Sequence, residues 1–242
     1  MAQTKISIIG AGNVGSTTAQ RLFEKAYADI ILVDVVEGMP QGKALDIFES
    51  GPLYHSDVSI TGSNSYETTR NSDIVIITAG IARKPGMSRD DLLLTNANIV
   101  STVVKNVITE SPNCILLVVS NPLDAMVHAA LSASGFPRER TFGMAGVLDT
   151  ARFRTFIAEE LSVSVSDVHA FVLGGHGDTM VPLTDYSNVA GISLNKIIPQ
   201  SNLDNIVHRT RDGGAEIVNL LKDKLLLESP EQESVTCILQ SE

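Results

Sequence analysis

A short apolar run at residues 5–9 leads directly into Gly10-Ala11-Gly12-Asn13-Val14-Gly15, and residues 16–25 then follow a helical pattern. Strand, glycine turn and helix, in that order, is the context in which a G-x-G-x-x-G spacing carries weight. Gly10 permits the turn, Gly12 lets the backbone approach a pyrophosphate, and Gly15 allows the helix to pack on the strand. The helix N-terminus then receives the phosphates. A second strand at residues 30–33 ends in Asp34, nineteen residues beyond Gly15. A carboxylate there accepts both hydroxyls of an adenosine ribose and repels a 2′-phosphate, which favours NAD over NADP.

The next stretch repeats the alternation. Residues 39–50 read as a helix, with Gly38 before it and Gly51-Pro52 stopping it. Residues 58–60 form a short strand, and residues 73–78 are a continuous apolar run of the kind buried on both faces of a parallel sheet. A basic segment rich in glycine and proline follows at residues 79–89, carrying Arg83 and Arg89; its place after a strand end makes it a candidate lid over a ligand crevice. A helix over residues 92–108 and a buried strand over 114–119 lead to Ser120-Asn121-Pro122, where the proline forces a sharp exit and Asn121 can hydrogen-bond over the same crevice. These elements predict a doubly wound parallel (Rossmann) α/β domain over residues 1–145.

Residues 146–161 open a second domain as a helix. Asp149 and Arg152 stand three apart on it and so share a face near its N-terminus. Further on, the apolar run 170–173 ends in Gly174-Gly175-His176-Gly177, a strand terminating in a tight turn that presents one imidazole. Histidine suits a task in which one proton is given and retrieved per cycle. Asp149 can hold one imidazole nitrogen and fix the tautomer, while Arg152 can grip a substrate carboxylate with its planar fork. His55, His128, His169 and His208 lack comparable sequence surroundings and read as structural or solvated.

The formal net charge of −10 argues against a nucleic-acid partner, since a phosphate backbone meets mostly repulsion. A few arginines can still set a local potential for a small anion. No continuous apolar run approaches the length of a membrane span, and the opening residues lack a signal-peptide pattern, so the expected location is the cytoplasm. Cys114 and Cys237 lie far apart and read as unpaired thiols with no metal-ligand spacing.

Taken together, Gly10 to Gly15, Val35-Val36-Glu37-Gly38, Arg83 to Arg89, Asn121-Pro122, Leu148 to Arg152 and Gly174 to Asp178 resemble the lactate/malate dehydrogenase family, over residue 5 to about residue 222. The resemblance implies His176 as proton donor and acceptor with Asp149 as its partner. It implies Arg152 as the carboxylate anchor, Arg89 as the group that polarises the reacting carbonyl, and Arg83 as the specificity residue for a second carboxylate. Asn121 then contacts both substrate and cofactor. Gly10, Gly12, Asn13, Val14, Gly15, Asp34, Asn96 and Val119 complete an NAD site, with no metal. An arginine at position 83 points to malate and oxaloacetate, with lactate chemistry or a shortened, catalytically weak nucleotide-binding protein as the alternatives. The family's segment after about residue 222 is not matched, so the expected second domain, residues 146–242, is an α+β catalytic domain shortened at its C-terminus. A homodimer or homotetramer is implied where that segment is complete.

Overall fold

The computed structural model describes residues 4–81, 88–177 and 179–221. Among them the chain divides into two compact units, one running to Met144 and the other beginning at Ala145. Arg83, Asp178, Cys237 and the residues after 221 lie outside the described residues.

The first unit is built on six parallel strands: β1 (Lys5–Ile9), β2 (Asp29–Val33), β3 (Ile60–Ser63), β4 (Ile74–Ile77), β5 (Ile115–Val118) and β6 (Thr141–Gly143). Their order across the sheet is β3-β2-β1-β4-β5-β6. The strand order reverses at β1, whose Ile8 pairs with Leu32 on one side and Ile76 on the other. Ile8, Ile30, Leu32, Ile76, Ile77 and Leu116 are fully buried, as continuous apolar strands covered on both faces must be. The helices of this unit are α1 (Asn13–Glu24), α2 (Met39–Glu49), α3 (Gly51–Tyr54), α4 (Arg89–Glu110) and α5 (Leu123–Ser134).

Several boundaries differ from the sequence expectation for local physical reasons. Helix α1 starts at Asn13 and not at residue 16, because Gly15 lies inside its first turn, where a Cβ would collide with Gly10 O. Strand β3 is displaced two residues along the chain, since its register is set by pairing Ile30 with Ile60 and Val33 with Ser63. Gly51-Pro52 does not end the helical path. Proline is tolerated in a first turn, so a new one, α3, begins there. Helix α4 begins at Arg89, three residues early, because Ser88 and Asp91 form a capping box.

Helix α4 is long and apolar enough to cross a membrane by length and composition alone. Here it flanks the sheet: it packs on α5, and Val100, Val103, Val104 and Val107 bury one face at helical spacing.

The second unit comprises α6 (Gly146–Leu161), β7 (Val168–His169), β8 (Val172–Gly174), β9 (Met180–Pro182), β10 (Asn188–Val189), β11 (Ile192–Ser193), α7 (Leu194–Ile197) and α8 (Gln200–Leu221). Strands β8 and β9 form an antiparallel hairpin, while β11, β10 and β7 make a separate antiparallel sheet. Phe153, Ile157, Val168, Met180, Leu194 and Leu203 form its core.

Candidate active site

At the carboxyl end of the six-stranded sheet, the turn from β1 to α1 is shaped by close backbone approach. Gly10 adopts φ +112° while its N–H donates to Val33 O at 2.7 Å. A Cβ on Gly12, in contrast, would meet nothing within 4 Å, so that side of the turn is open. Gly12 and Asn13 are exposed; Val14 and Gly15 are buried behind them. No acidic residue occupies the first turn of α1 and no side chain caps it, which leaves its N–H groups and positive dipole end available to an anion. Asp34, just past β2, accepts the Ala11 N–H through Oδ2 at 2.6 Å and the Val36 N–H through Oδ1 at 2.9 Å. The carboxylate is therefore fixed beside the turn. An open glycine backbone with unopposed N–H groups, flanked by one oriented carboxylate, fits a dinucleotide's pyrophosphate and ribose.

Asn96 on α4 is 2% exposed and is fully engaged with backbone. Its side-chain oxygen accepts the Ile81 N–H at 2.9 Å, and its amide donates to Ile81 O at 3.1 Å and Asn121 O at 2.7 Å. The side chain thereby ties the segments leaving β4 and β5 to each other. Val119 is buried, with its N–H on Ile77 O at 2.9 Å. Asn121 is part-buried and joins Pro122 through a cis peptide. Arg89 is the first residue of α4.

In the second unit, the β8–β9 hairpin pairs Gly174 with Met180 and carries His176 in the turn between them. Gly174 and Gly177 have φ +88° and +108°, and a Cβ on Gly174 would come within 2.6 Å of Thr179 O. Helix α6 is pinned to this hairpin by Thr150, whose Oγ1 accepts the Val172 N–H at 3.0 Å. One residue earlier, Asp149 places Oδ2 3.0 Å from His176 Nδ1.

Asp149 is only 2% exposed, and its Oδ1 accepts no hydrogen bond among the described residues. That oxygen lies 3.6 Å from Arg152 Nη1. Burying a carboxylate costs several kcal/mol unless charge of opposite sign is near. The first turn of α6 and the Arg152 guanidinium supply it. With Nδ1 of His176 turned to Asp149 Oδ2, Nε2 is the ring nitrogen left to exchange a proton. The His176 side chain is 27% exposed, enough to be reached, whereas Arg152 is 14% exposed. His208, by comparison, pairs with Asp212 at 2.8 Å on an exposed surface.

Two residues of this arrangement escaped the sequence reading. Thr150 has no distinctive local signal. Gly213 has one: it and Gly214 sit within α8, where each glycine costs roughly 1 kcal/mol relative to alanine. The structure supplies a reason, since a Cβ on Gly213 would lie 3.0 Å from Arg152 Cδ and 3.3 Å from its Nε.

The sheet order and glycine turn define a dinucleotide-binding fold, and the second unit adds an imidazole–carboxylate pair able to exchange a proton. Residues 4–143 match the NAD-binding domain of lactate/malate dehydrogenases, and residues 146–223 match their α/β C-terminal domain. The chain belongs to the lactate/malate dehydrogenase family.

A malate dehydrogenase of Chloroherpeton thalassium is 57% identical over 235 residues, covering 97% of this chain and 76% of that protein. A malate dehydrogenase of Thermomicrobium roseum is 60% identical over 217 residues, covering 90% of this chain and 70% of the relative. The apo structure of malate dehydrogenase from Picrophilus torridus superposes with a TM-score of 0.91 at 48% identity, covering 97% of this chain and 74% of the other.

Proposed function

We propose that this chain is an NAD-dependent malate dehydrogenase, interconverting malate and oxaloacetate. The observation that carries the reading is the Asp149–His176 pair at 3.0 Å with Arg152 Nη1 3.6 Å from the same carboxylate, because it joins a proton-exchanging group to a cation suited to a substrate carboxylate.

In the oxidative direction, His176 Nε2 takes the proton of the C2 hydroxyl as the C2–H bond breaks. Bound NAD supplies the acceptor for the departing hydride. Asp149 stabilises the imidazolium that forms and keeps the ring oriented for the reverse transfer. Arg152 holds the carboxylate next to C2. From the family resemblance, Arg89 stabilises charge on the C2 oxygen, Arg83 meets the far carboxylate, and Asn121 contacts substrate and cofactor together. On the cofactor side, Gly10, Gly12, Asn13, Val14 and Gly15 form the pyrophosphate turn, and Asp34 takes the adenosine ribose. Val119 and Asn121 border the nicotinamide end, while Asn96 secures the two segments there.

Steady-state rates of NADH oxidation with oxaloacetate and with pyruvate test the reading, with His176→Gln as control. Oxaloacetate should be reduced with the higher kcat/KM, and the variant should lose roughly 10²–10⁴-fold in rate. Saturable NADH binding without reduction of either substrate would favour the nucleotide-binding alternative instead.

A homo-oligomer, residence in the cytoplasm and a place in the tricarboxylic acid cycle belong to the same proposal; the first and last derive from the resemblance to malate dehydrogenases, and the location from the hydropathy pattern and the opening residues. For the oligomer there is added support in the exposed Leu45, Phe48, Leu53 and Tyr54 of α2 and α3, an apolar surface of the kind subunits cover. Light scattering of the purified protein reads the mass directly.

A further inference from the structure

Lys43 projects from α2 toward the start of α1. Its Nζ donates to Ser16 Oγ at 3.2 Å, and Ser16 Oγ donates in turn to Gly12 O at 2.7 Å. Two hydrogen bonds thus separate this ammonium from the glycine turn. The location is electrostatically poor for a cation in the absence of a ligand. The N-terminal end of α1 carries positive partial charge, and its first turn contains no acidic residue to oppose it. Lys43 is also part-buried, and desolvation holds its pKa below the usual lysine value despite the opposing pull of the Asp34 carboxylate. Asp34 accepts the Ala11 and Val36 N–H groups, one through each oxygen, and keeps lone pairs for the ribose hydroxyls. An ammonium and a helix N-terminus converging on one open backbone turn call for an anion on that turn.

We propose that Lys43 is a cofactor-binding residue that pairs with the adenosine-side phosphate of the dinucleotide, an inference that rests on the NAD-dependent reading above. The adenosine side is assigned because Lys43 belongs to the helix following β2 and lies within electrostatic range of Asp34, the residue that takes the adenosine ribose. Lys43 and Asp34 then read adjacent parts of one ligand, phosphate by charge and ribose by hydrogen bonding. The cation is otherwise a simple packing group between α1 and α2, and the two roles separate experimentally.

NADH is titrated by fluorescence into wild-type protein, Lys43→Met and Lys43→Arg at low and high salt, with ADP and adenosine as competitors and a thermal melt of each variant. Lys43→Met should weaken NADH and ADP by about tenfold, as expected for loss of a charge-assisted contact, and leave adenosine unaffected. Its NADH affinity should also depend less on salt, because a screened charge pair has gone. Lys43→Arg should retain most of the affinity. Equal weakening of adenosine and ADP would assign Lys43 to packing alone and overturn the proposal, as would unchanged affinity with an unchanged salt dependence. Wild-type protein that fails to bind NADH would overturn the NAD reading itself, and this inference with it.

Discussion

Gly213 on α8 stands where a methyl group would come within 3.0 Å of Arg152 Cδ, so the side chain of Arg152 rests directly against the helix backbone. Gly213→Ala should therefore move the guanidinium by a few tenths of an ångström. We expect KM for oxaloacetate to rise roughly fivefold to tenfold, about 1 kcal/mol, with NADH affinity unchanged. The thermal midpoint should rise, since alanine favours the helix by up to about 1 kcal/mol. Gly214→Ala, whose added Cβ would lie 3.9 Å from Arg152 Nη2, should stabilise without raising KM. Equal KM values for the two variants would mean that Gly213 does not position Arg152.

Asp149→Asn keeps the shape of the side chain and removes its charge. The imidazolium formed during the reaction then has no carboxylate beside Nδ1, and kcat should fall by roughly 10²–10³-fold. The thermal midpoint should fall modestly, because the part-buried Arg152 loses the carboxylate 3.6 Å from its Nη1. NADH titration, kcat and a thermal melt measured together separate chemistry from folding: a collapsed melting transition would show that Asp149 is chiefly structural.

Under the proposed function Arg83 meets the second carboxylate, and it should then select between a substrate with two carboxylates and one with a methyl group. An unpaired guanidinium in a closed site costs several kcal/mol, so pyruvate is penalised. Replacing Arg83 with Gln should shift the ratio of kcat/KM values toward pyruvate by roughly a hundredfold, about 3 kcal/mol of lost discrimination. An unchanged ratio would remove this residue from the specificity argument.

Burial in the first unit pushes the Cys114 thiol from 9.0 up to about 11, against a smaller opposing effect of Arg140. The folded state consequently holds this proton more tightly than the unfolded chain does. The resulting stability is fully present below about pH 9 and is lost as pH rises toward 11, by roughly 2–3 kcal/mol in all. Urea midpoints of wild-type protein and Cys114→Val should diverge across that window, with the wild type losing stability faster. Parallel curves would mean that the thiol is not desolvated.

The alternation of elements was readable where local pattern suffices. Strand β1 and helix α6 fall where their apolar and glycine signals place them, and the parallel strands announce themselves as short continuous apolar runs. Strand β3 was misplaced because its register depends on pairing with β2, a contact thirty residues away in sequence. The sheet of β7, β10 and β11 was missed altogether. Two-residue strands are too short to show periodicity, and only their partners define them.

For the site, sequence alone determined the chemical inventory: a glycine turn after β1, an acid after β2, one imidazole in a glycine-rich turn, and an acid and a base three apart on one helix face. These are local statements, fixed by residue type and short spacing. Tertiary structure decided which of them act as a unit. It brings Asp149 to His176 across 27 residues of chain, through the Thr150 bond that holds α6 to β8. It also sets Arg152 against Gly213 and Lys43 against the first turn of α1. Such contacts depend on how helices and strands pack over long sequence separations, where spacing along the chain carries no information about distance in space.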